Sequence, residues 1–413
     1  MKTLYDSNFR GKKVLVRCDF NVPLDKEGHI SNDFRVKKAL PTIDYLIGQK
    51  AKTILISHLG RPPLPLQKEV GETIRSKHRL LSLEKYSLRP VALLLSKLLK
   101  TEVKFLDDCI GEKAQEEIDK MADGGVMLLE NLRFYKGEEA NDYQFARELA
   151  KRKDVFIQDA FSVCHRNHAS VVEVPEILPS WTGILLEREV RTLSKVLKNP
   201  ERPFVAIIGG VKITTKVKLI EQVLKQADQV LLGGKIANVI LQVKGMSPQG
   251  NSLSEEIVDK VEGIKLTSTK LHLPLDAIVS LEDVSKGIEE NYFRTSAIGT
   301  VKQGEAIYDI GPETINVFKK VIKEAKTIIW SGPLGLFEKK PFERGTKDVA
   351  SIIVENHSAL KIAGGGDTIF AISKFGLIDG FNHISTGGGA MLRFLSRENL
   401  PGIVALGLDL PSY

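Results

Sequence analysis

Four glycine-rich stretches in the second half of the sequence each follow a short apolar run. They lie around Gly209 and Gly210 in IIGGVKITTK, Gly233 and Gly234 in LLGGKIAN, Gly364 to Thr368 in IAGGGDT, and Gly387 to Gly389 in STGGGA. At the carboxyl end of a parallel strand, glycine lets the backbone approach a ligand, and the next helix presents its N–H groups to an anion. One such pair alone is more typical of a tight turn. The four together predict a site that binds phosphate groups.

Charged residues beside these glycines indicate a polyphosphate ligand. Lys212 and Lys216 are four positions apart, which places both on one face of the predicted helix, where two ammonium groups can contact one polyphosphate. A solvated, charged helix face is the alternative. Asp367 stands at the start of another predicted helix, where a carboxylate can bind Mg²⁺ or, alternatively, cap the helix. The patterns GxxxxGK[ST] and GxGxxG are absent, which disfavours a P-loop enzyme and a nicotinamide dehydrogenase.

Arginine and histidine residues follow the apolar runs of the first half. They are Arg35, His58, Arg61, Arg133 and Arg166. Arginine binds carboxylates and phosphates in a bidentate manner, so these residues are suited to hold a small anion. Each of them alone is more typical of a surface ion pair. An anion-binding half combined with a polyphosphate-binding half indicates a kinase that acts on a small anionic substrate.

Two further groups in the first half carry less information. Asp19 and Asn21, in RCDFNVP, stand at a predicted strand end and are suited either to bind substrate hydroxyls or to stabilise a turn. His165 and His168 have the HxxH spacing of metal ligands. Because the sequence offers no obvious third ligand beside them, we do not predict a metal site there.

These candidate residues need a scaffold that brings strand ends together. Short apolar, β-branched runs alternate with amphipathic helical stretches in both halves, as in KKVLVRCDF, VKKALPTIDYLIGQ and KTILISHLG. This βαβ pattern is typical of parallel sheets. We therefore predict the α/β class, with two doubly wound parallel-sheet (Rossmann-like) domains joined by a helix and a cleft between them. The predicted ranges are 1–178 for the first domain, 184–199 for the connecting helix, 200–395 for the second domain and 400–413 for a tail that returns to the first domain.

Composition narrows the possible partners. The chain of 413 residues has 59 lysines and arginines against 52 acidic residues, a net charge of +7. This excess keeps a basic nucleic-acid-binding α/β protein as the alternative function, although the basic residues are spread along the chain rather than clustered. The cysteines Cys18, Cys109 and Cys164 form no CxxC pair, which argues against a disulfide framework or a cysteine zinc site. No apolar run approaches the ~18–20 residues of a membrane span, and the N-terminus lacks the apolar segment of a signal peptide, so we predict a cytoplasmic protein.

The ordered motifs of the chain resemble those of the phosphoglycerate kinase family. They are RCDFNVP, SHLGRP, YSLRPVA, ENLRFYKGEE, DAFSVCHRNHAS, IIGGVKITTK, LPLD, DIGPET, WSGPLGLFE, IAGGGDT and STGGGA, in the family's order and over nearly the whole length. The resemblance implies reversible phosphoryl transfer between ATP and the carboxylate of 3-phosphoglycerate, in glycolysis and gluconeogenesis, with Mg²⁺ accompanying the nucleotide. It further implies two domains that close about a hinge, and a monomer that needs neither nucleic acid nor membrane.

The resemblance also assigns residues to two sites. It implies a triose site in the first domain, made of Asp19, Phe20, Asn21, Arg35, His58, Leu59, Gly60, Arg61, Arg133 and Arg166. It implies a nucleotide site in the second domain, made of Gly210, Lys212, Lys216, Gly233, Gly234, Pro333, Glu338, Gly365, Gly366, Asp367 and Thr368. In that site Glu338 contacts the ribose and Asp367 binds Mg²⁺. The catalytic positions are Arg35, Lys212, Gly365 and Gly388, of which Arg35 and Lys212 contact the transferring group.

Some positions depart from the commonest pattern of the family. Thr215 stands where many members have an acid, Ser331 replaces the asparagine of WNGP, and Arg393 stands where a glutamate is typical. DAFSVCHR replaces DAFGTAHR and places Cys164 beside the implied triose site. The segment Pro62 to Leu81 is longer than usual, and we predict that it forms a surface loop. We expect these departures to affect loops and tuning rather than the reaction class.

Overall fold

The computed structural model describes residues 2–72, 82–211, 213–247, 253–264, 269–281 and 293–408. The chain divides into two compact units. The first contains the residues up to Arg191 together with those from Asn399 onward, and the second runs from Thr192 to Glu398. The division falls inside the helix Ile184–Lys198. The domain ranges given above stay predictions.

The first unit is built on a sheet of six parallel strands. Its strands are β1 Lys13–Arg17, β2 Lys52–Ile56, β3 Val103–Leu106, β4 Val126–Leu129, β5 Val155–Gln158 and β6 Ser180–Thr182. They pair in the order β3-β4-β2-β1-β5-β6. Every residue of β4 and β5 is buried, as expected for parallel strands that helices cover on both faces. Because the strands are parallel, their carboxyl ends meet at one edge of the sheet.

Helices connect these strands. They are α1 Phe34–Gly48, α2 Arg89–Leu99, α3 Glu112–Asp119, α4 Lys136–Glu139, α5 Tyr143–Ala150, α6 Glu173–Ile177 and α7 Ile184–Lys198. The helix α2 has a proline in its first turn, where no backbone donor is needed, and it buries Val91, Ala92 and Leu95 on one face. The helix α5 begins after Asp142, whose side chain accepts a hydrogen bond from the Phe145 amide at 2.7 Å.

The second unit contains a parallel sheet and a smaller antiparallel sheet. Its strands are β7 Phe204–Ile208, β8 Gln229–Leu232, β9 Leu271–His272, β10 Asp276–Ser280, β11 Phe293–Ala297, β12 Ala306–Ile310, β13 Thr327–Ser331, β14 Leu360–Gly364 and β15 His383–Ser385. The parallel order is β15-β14-β13-β7-β8-β9, and β10 pairs antiparallel with β11 and β12. The chain adds strands first to one side of β7 and later to the other, so the crevice between β7 and β13 is where such sheets bind ligands.

The helices of the second unit start at the predicted glycine-rich stretches or between them. They are α8 Ile213–Gln226, α9 Gly234–Val243, α10 Glu255–Glu262, α11 Pro312–Glu324, α12 Arg344–Glu355, α13 Gly366–Lys374 and α14 Gly388–Leu395. The predicted α/β class with two parallel-sheet domains is confirmed. The antiparallel sheet is not predicted by the sequence pattern.

A last short helix, α15 Pro401–Val404, belongs to the first unit. The Gly402 amide donates to the backbone oxygen of Cys164 at 2.9 Å. Residues 409–413 of the predicted tail lie outside the described residues. Within the described part of the chain, no helix combines the length and the apolar character needed to span a membrane.

The buried carboxyl group of Asp159 makes the stability of the first unit dependent on pH. Its Oδ1 accepts hydrogen bonds from the Leu185 and Leu186 amides, at 2.9 and 3.3 Å, in the first turn of α7. Burial raises the pKa of Asp159 to about 7. Because this lies above the pKa of the unfolded chain, the contribution of the group is fully present below about pH 4 and is lost as the pH rises to about 7.

We expect the substitution Asp159→Asn to remove this dependence. The amide keeps an oxygen for the two helix N–H groups but does not titrate. In wild type, this group lowers the free energy of unfolding by roughly 1.4 kcal/mol per pH unit between about pH 4 and 7. Urea unfolding at several pH values should therefore show that the free energy of unfolding of the variant increases relative to that of wild type as the pH rises across this window. Parallel pH profiles for the two proteins would contradict the assignment.

Candidate active site

Asp19 and Arg35 face each other beyond the carboxyl end of β1. Arg35 Nη1 lies 2.9 Å from Asp19 Oδ2 and donates to the backbone oxygen of Asn21 at 3.1 Å. Asp19 also accepts hydrogen bonds from the Ser162 hydroxyl at 2.5 Å and from the Asn21 amide at 3.0 Å. The Asn21 side chain accepts from the Gly60 amide at 2.9 Å. The segments after β1, β2 and β5 and the start of α1 therefore meet at one place, and Asp19 stabilises the turn after β1.

Arg133 joins this group from the segment after β4. It is buried, its Nη1 donates to the backbone oxygen of Gly60 at 2.6 Å, and its Nη2 lies 3.1 Å from Glu139 Oε1. Asn131 orders the same segment, because its side chain donates to the Leu59 oxygen at 2.7 Å and accepts from the Arg133 amide at 3.0 Å. The loops after β2 and β4 thus hold each other in position.

Positive charge is concentrated around the buried ring of His58. Burial, together with the charges of Arg17, Arg133, Arg166 and Arg35, holds the pKa of His58 well below its usual range. Burial also lowers the pKa of Arg133 to about 10 and lowers the pKa of Arg166. Cations whose charged forms are destabilised by their surroundings are suited to bind an anion that restores the balance.

Two guanidinium nitrogens in this group lack an acceptor. Arg133 Nε and Arg166 Nε are buried and donate to no acceptor among the described residues, and Arg133 Nη2 makes only the ion-pair contact with Glu139. Because buried donors are nearly always paired in proteins, both nitrogens are suited to ligand oxygens. Arg61 is exposed. Its positive charge is the second cause, after burial, that lowers the pKa of Arg166. Phe20, in the segment after β1, and Leu59, in the segment after β2, are both buried.

Sequence reasoning missed Arg17 and Ser162. Arg17 is the last residue of β1, is fully buried, and has its Nη2 3.3 Å from His58 Nδ1. The signal that could have found it is a charged residue at the end of an otherwise apolar run. His168, from the HxxH pair, has its Nδ1 3.7 Å from Oε1 of the buried Glu138.

In the second unit, Lys216 reaches back from α8 to the ends of β7 and β13. Its ammonium group donates to the backbone oxygens of Gly209 at 2.5 Å and Ser331 at 3.0 Å. Burial lowers the pKa of Lys216 to about 8, while the carboxylate of Asp367 acts in the opposite direction. Lys216 is therefore not part of a solvated helix face. Lys212 lies outside the described residues.

Backbone contacts join the loops that follow the strands of the second sheet. The Gly210 amide donates to the Pro333 oxygen at 2.7 Å. The Gly332 amide donates to the buried hydroxyl of Thr368 at 2.7 Å, which links the loop after β13 to the first turn of α13. A side chain on Gly332 would collide with the backbone oxygen of Gly209. Close approach of backbones is thus the reason for glycine at this point.

The remaining predicted glycines lie in the same set of loops. The Gly233 amide donates to the Ile208 oxygen at 3.0 Å, and Gly234 begins α9. Gly365 has a φ of +105°, and a Cβ on Gly388 would lie 2.7 Å from the Gly365 Cα. The ends of β7, β8, β14 and β15 therefore all reach this edge of the sheet.

Three of the predicted nucleotide ligands are exposed. Gly366 and Asp367 form the first turn of α13. Glu338 follows Phe337. The ring centroid of Phe337 lies 5.7 Å from that of Phe370, which is on α13. Within the described residues, no hydrogen bond or ion pair involves the carboxylate of Asp367 or Glu338. The capping role considered for Asp367 is not seen, because Gly365 precedes the helix without any side-chain cap.

Comparison with known proteins identifies the family. A family model described as phosphoglycerate kinase matches residues 4–398. The chain belongs to the phosphoglycerate kinase family. The phosphoglycerate kinase of Borrelia garinii subsp. bavariensis is 47% identical over 98% of this chain and 99% of its own length. That of Dictyoglomus turgidum is 43% identical over 98% and 97%. The solved structure of phosphoglycerate kinase from Coxiella burnetii has a TM-score of 0.80 at 37% identity, covering 98% of both chains.

Membership of the phosphoglycerate kinase family fixes the reaction. The protein transfers a phosphoryl group reversibly between ATP and 3-phosphoglycerate, a step of glycolysis, which confirms the function predicted from the sequence. The alternative of a nucleic-acid-binding protein is not supported by these comparisons.

The residues that depart from the common phosphoglycerate kinase pattern differ in their burial and in their contacts. The Ser331 oxygen accepts from Lys216, and Arg393 lies 4.0 Å from Glu398 in an exposed ion pair. Cys164 is buried and free, as are the other two cysteines. The extended loop is tied down at Lys68, whose Nζ lies 2.6 Å from Asp108. Residues 73–81 of that loop, and the side chain of Thr215, lie outside the described part of the structure.

Proposed function

We propose that the first unit binds 3-phosphoglycerate through the cationic group around His58. The observation that carries this proposal is the convergence of Arg35, Arg133 and Arg166 on a buried imidazole. The planar fork of arginine matches both a carboxylate and a phosphate, and 3-phosphoglycerate has one of each. The full proposed triose site is Asp19, Phe20, Asn21, Arg35, His58, Leu59, Gly60, Arg61, Arg133 and Arg166.

The second unit is proposed to bind ATP or ADP at the crevice between β7 and β13. Lys216 uses two of its three N–H donors on backbone oxygens, which leaves one donor for a phosphate oxygen. The N–H groups at the starts of α13 and α14 favour the same phosphates. The proposed nucleotide site is Gly210, Lys212, Lys216, Gly233, Gly234, Pro333, Glu338, Gly365, Gly366, Asp367 and Thr368, with Glu338 on the ribose.

Asp367 fits the requirements of a Mg²⁺ ligand. Its carboxylate is exposed in the first turn of α13 and has no ion-pair partner within the described residues. Kinases hold Mg²⁺ with one or two carboxylates together with the nucleotide phosphates. When bound, the ion neutralises part of the phosphate charge.

The reaction requires charge neutralisation rather than proton transfer. The attacking carboxylate has a pKa near 4 and is already ionised at neutral pH, so no general base is needed. An anion that attacks a polyanion needs cationic groups at the transferring phosphoryl group, which we assign to Arg35 and Lys212. Gly365 and Gly388 place backbone N–H groups near the phosphates. The substitution of solvent by fixed protein groups also protects the acyl phosphate product.

Binding measurements on two arginine variants test the triose site. We expect Arg166→Met to raise the Kd of 3-phosphoglycerate at least about tenfold, because a charge-assisted contact is lost. The matched control is Arg152→Met, since Arg152 is a surface residue whose Nη1 lies 3.1 Å from Asp119. Titration calorimetry should show the control unchanged and the ATP affinity of both variants unchanged. If Arg166→Met binds 3-phosphoglycerate with the wild-type Kd, the proposed triose site is wrong.

Several features implied by the sequence stay predictions. These are the monomeric state, the cytoplasmic location, the absence of nucleic-acid and membrane partners, and the closure of two domains about the connecting helix.

A further inference from the structure

Arg17 determines which nitrogen of His58 carries the ring hydrogen. Its Nε donates to the Ser170 hydroxyl at 2.8 Å, its Nη1 donates to the Cys18 oxygen at 2.5 Å, and its Nη2 lies 3.3 Å from His58 Nδ1. A guanidinium group has donors only, so His58 Nδ1 must be the acceptor of this contact. An imidazole nitrogen accepts only without a hydrogen of its own, which places the hydrogen on Nε2.

The orientation of Arg17 is fixed in turn by Ser170 and Glu138. The fully buried Glu138 accepts from the Ser170 hydroxyl at 2.7 Å and from the Ser170 amide at 3.0 Å. Burial alone would raise the pKa of Glu138, but the nearby His168 and the charge of Arg17, whose Nη2 lies 3.7 Å from Glu138 Oε1, lower it, so the carboxylate is ionised. Because an ionised carboxylate only accepts, the Ser170 hydroxyl donates to it and offers its oxygen to Arg17. Each hydrogen bond in the series from Glu138 through Ser170 and Arg17 to His58 therefore has one possible direction.

The surroundings of His58 keep its ring neutral. Four arginines face it from separate elements: Arg17 from β1, Arg35 from α1, Arg133 from the segment after β4 and Arg166 from the segment after β5. No hydrogen bond within the described residues involves His58 Nε2. The ring thus presents an uncharged N–H donor among cationic side chains.

We propose that Arg17 is a positioning residue of the 3-phosphoglycerate site, which holds His58 in the Nε2–H tautomer so that the ring donates one hydrogen bond to an oxygen of the bound anion. This inference rests on the proposed function, which places the substrate at His58. It adds a requirement that the substrate contacts alone do not impose: the imidazole must remain an oriented neutral donor and not become an imidazolium. Substrate affinity is then independent of histidine protonation.

The tautomer can be observed directly by ¹⁵N NMR of the histidine rings, with the His58 signals assigned by their loss in His58→Gln. In wild type we expect one tautomer, with hydrogen on Nε2, from about pH 5 to 8. In Arg17→Met we expect a mixture of tautomers and a His58 pKa above that of wild type, because one of the four charges that lower it is gone. The KM for 3-phosphoglycerate should rise about tenfold at about pH 8 and fall again toward pH 5, because an imidazolium attracts the anion. The kcat and the KM for ATP should change much less.

A second pair of variants leaves the charge of Arg17 in place. Ser170→Ala removes the acceptor that orients the guanidinium group, whereas Ser170→Thr keeps a hydroxyl at that point. We expect tautomer mixing and a KM for 3-phosphoglycerate that is raised at every pH in Ser170→Ala, because the charges that keep the ring neutral are still present, and wild-type behaviour in Ser170→Thr. A single Nε2–H tautomer together with a wild-type KM for 3-phosphoglycerate in both Arg17→Met and Ser170→Ala would overturn the inference.

Failure of the underlying site has a different signature. If His58→Ala leaves the KM for 3-phosphoglycerate at its wild-type value, the substrate does not bind at His58. That result overturns the proposed triose site, and the role of Arg17 with it, whatever the tautomer measurements show. A raised KM in His58→Ala supports the site and leaves the tautomer experiment to decide the role of Arg17.

Discussion

Replacement of Arg35 by methionine is expected to lower kcat by about a thousand-fold while changing nucleotide affinity much less. Arg35 lies in the first turn of α1, and its guanidinium group is held by Asp19 Oδ2 at 2.9 Å and the Asn21 oxygen at 3.1 Å. Both contacts involve Nη1, so the other donors are available for the role proposed above, contact with the transferring phosphoryl group. Methionine retains most of the aliphatic length but removes the positive charge, which in the proposed role interacts more strongly with the transition state than with the bound substrates.

The measurement is a steady-state assay with ATP, Mg²⁺ and 3-phosphoglycerate, coupled to an NADH-consuming dehydrogenase. Lys37→Met is the matched control, because Lys37 is an exposed cation on the same helix whose Nζ lies 2.9 Å from Asp33. We expect this control to stay within about twofold of wild type. Arg35→Lys should be intermediate, since it keeps the charge but loses the planar fork. Equal losses in kcat and in nucleotide affinity for Arg35→Met would remove Arg35 from the transition-state role.

The parallel strands could be predicted from sequence because burial on both faces demands continuous apolar runs. The run KTILI of β2 and the run FVAII of β7 are examples, and only Lys52 among their residues is not buried. The antiparallel sheet could not be predicted in this way. In β11, with the sequence FRTSA, Ser296 is the one buried residue, so no apolar pattern marks the strand. Its pairing with β10 depends on tertiary contacts that a local pattern does not carry.

For the candidate site, sequence indicated the residue types but not their contacts. Glycines and arginines at strand ends are visible locally, because the position after a strand is itself local. The contact of Lys216 with Ser331 joins residues 115 positions apart, and that of Arg17 with Ser170 joins residues 153 positions apart. Helical spacing placed Lys216 on a face of α8 without showing that the face points back to β7. Arg17 was missed because a charged residue at the end of an apolar run does not show which distant residue, here Glu138, it will pair with.

The second large effect is expected for Lys216→Met, which should lower kcat/KM for ATP by about a hundred-fold or more. The variant loses an ammonium donor that contacts the ends of β7 and β13. The loop should keep its fold, because the Ser331 oxygen still accepts from the Gly209 amide at 2.9 Å. Methionine also places an apolar chain where a buried charge stood, which avoids an uncompensated ion. Lys218→Met, an exposed position on the same helix, is the matched control and should retain wild-type kinetics.

The pH dependence of nucleotide binding separates a phosphate-binding role of Lys216 from a purely structural one. Burial lowers the pKa of Lys216 to about 8, so the free protein carries the ammonium below that pH and the neutral amine above it. A polyphosphate binds the charged form, so the Kd of ADP in wild type should rise as the pH goes from about 7 to 9, by up to about tenfold per unit. In Lys216→Met this rise should disappear, while Lys218→Met should keep it. If the rise persists in Lys216→Met, another group titrates, and the phosphate contact assigned to Lys216 is wrong.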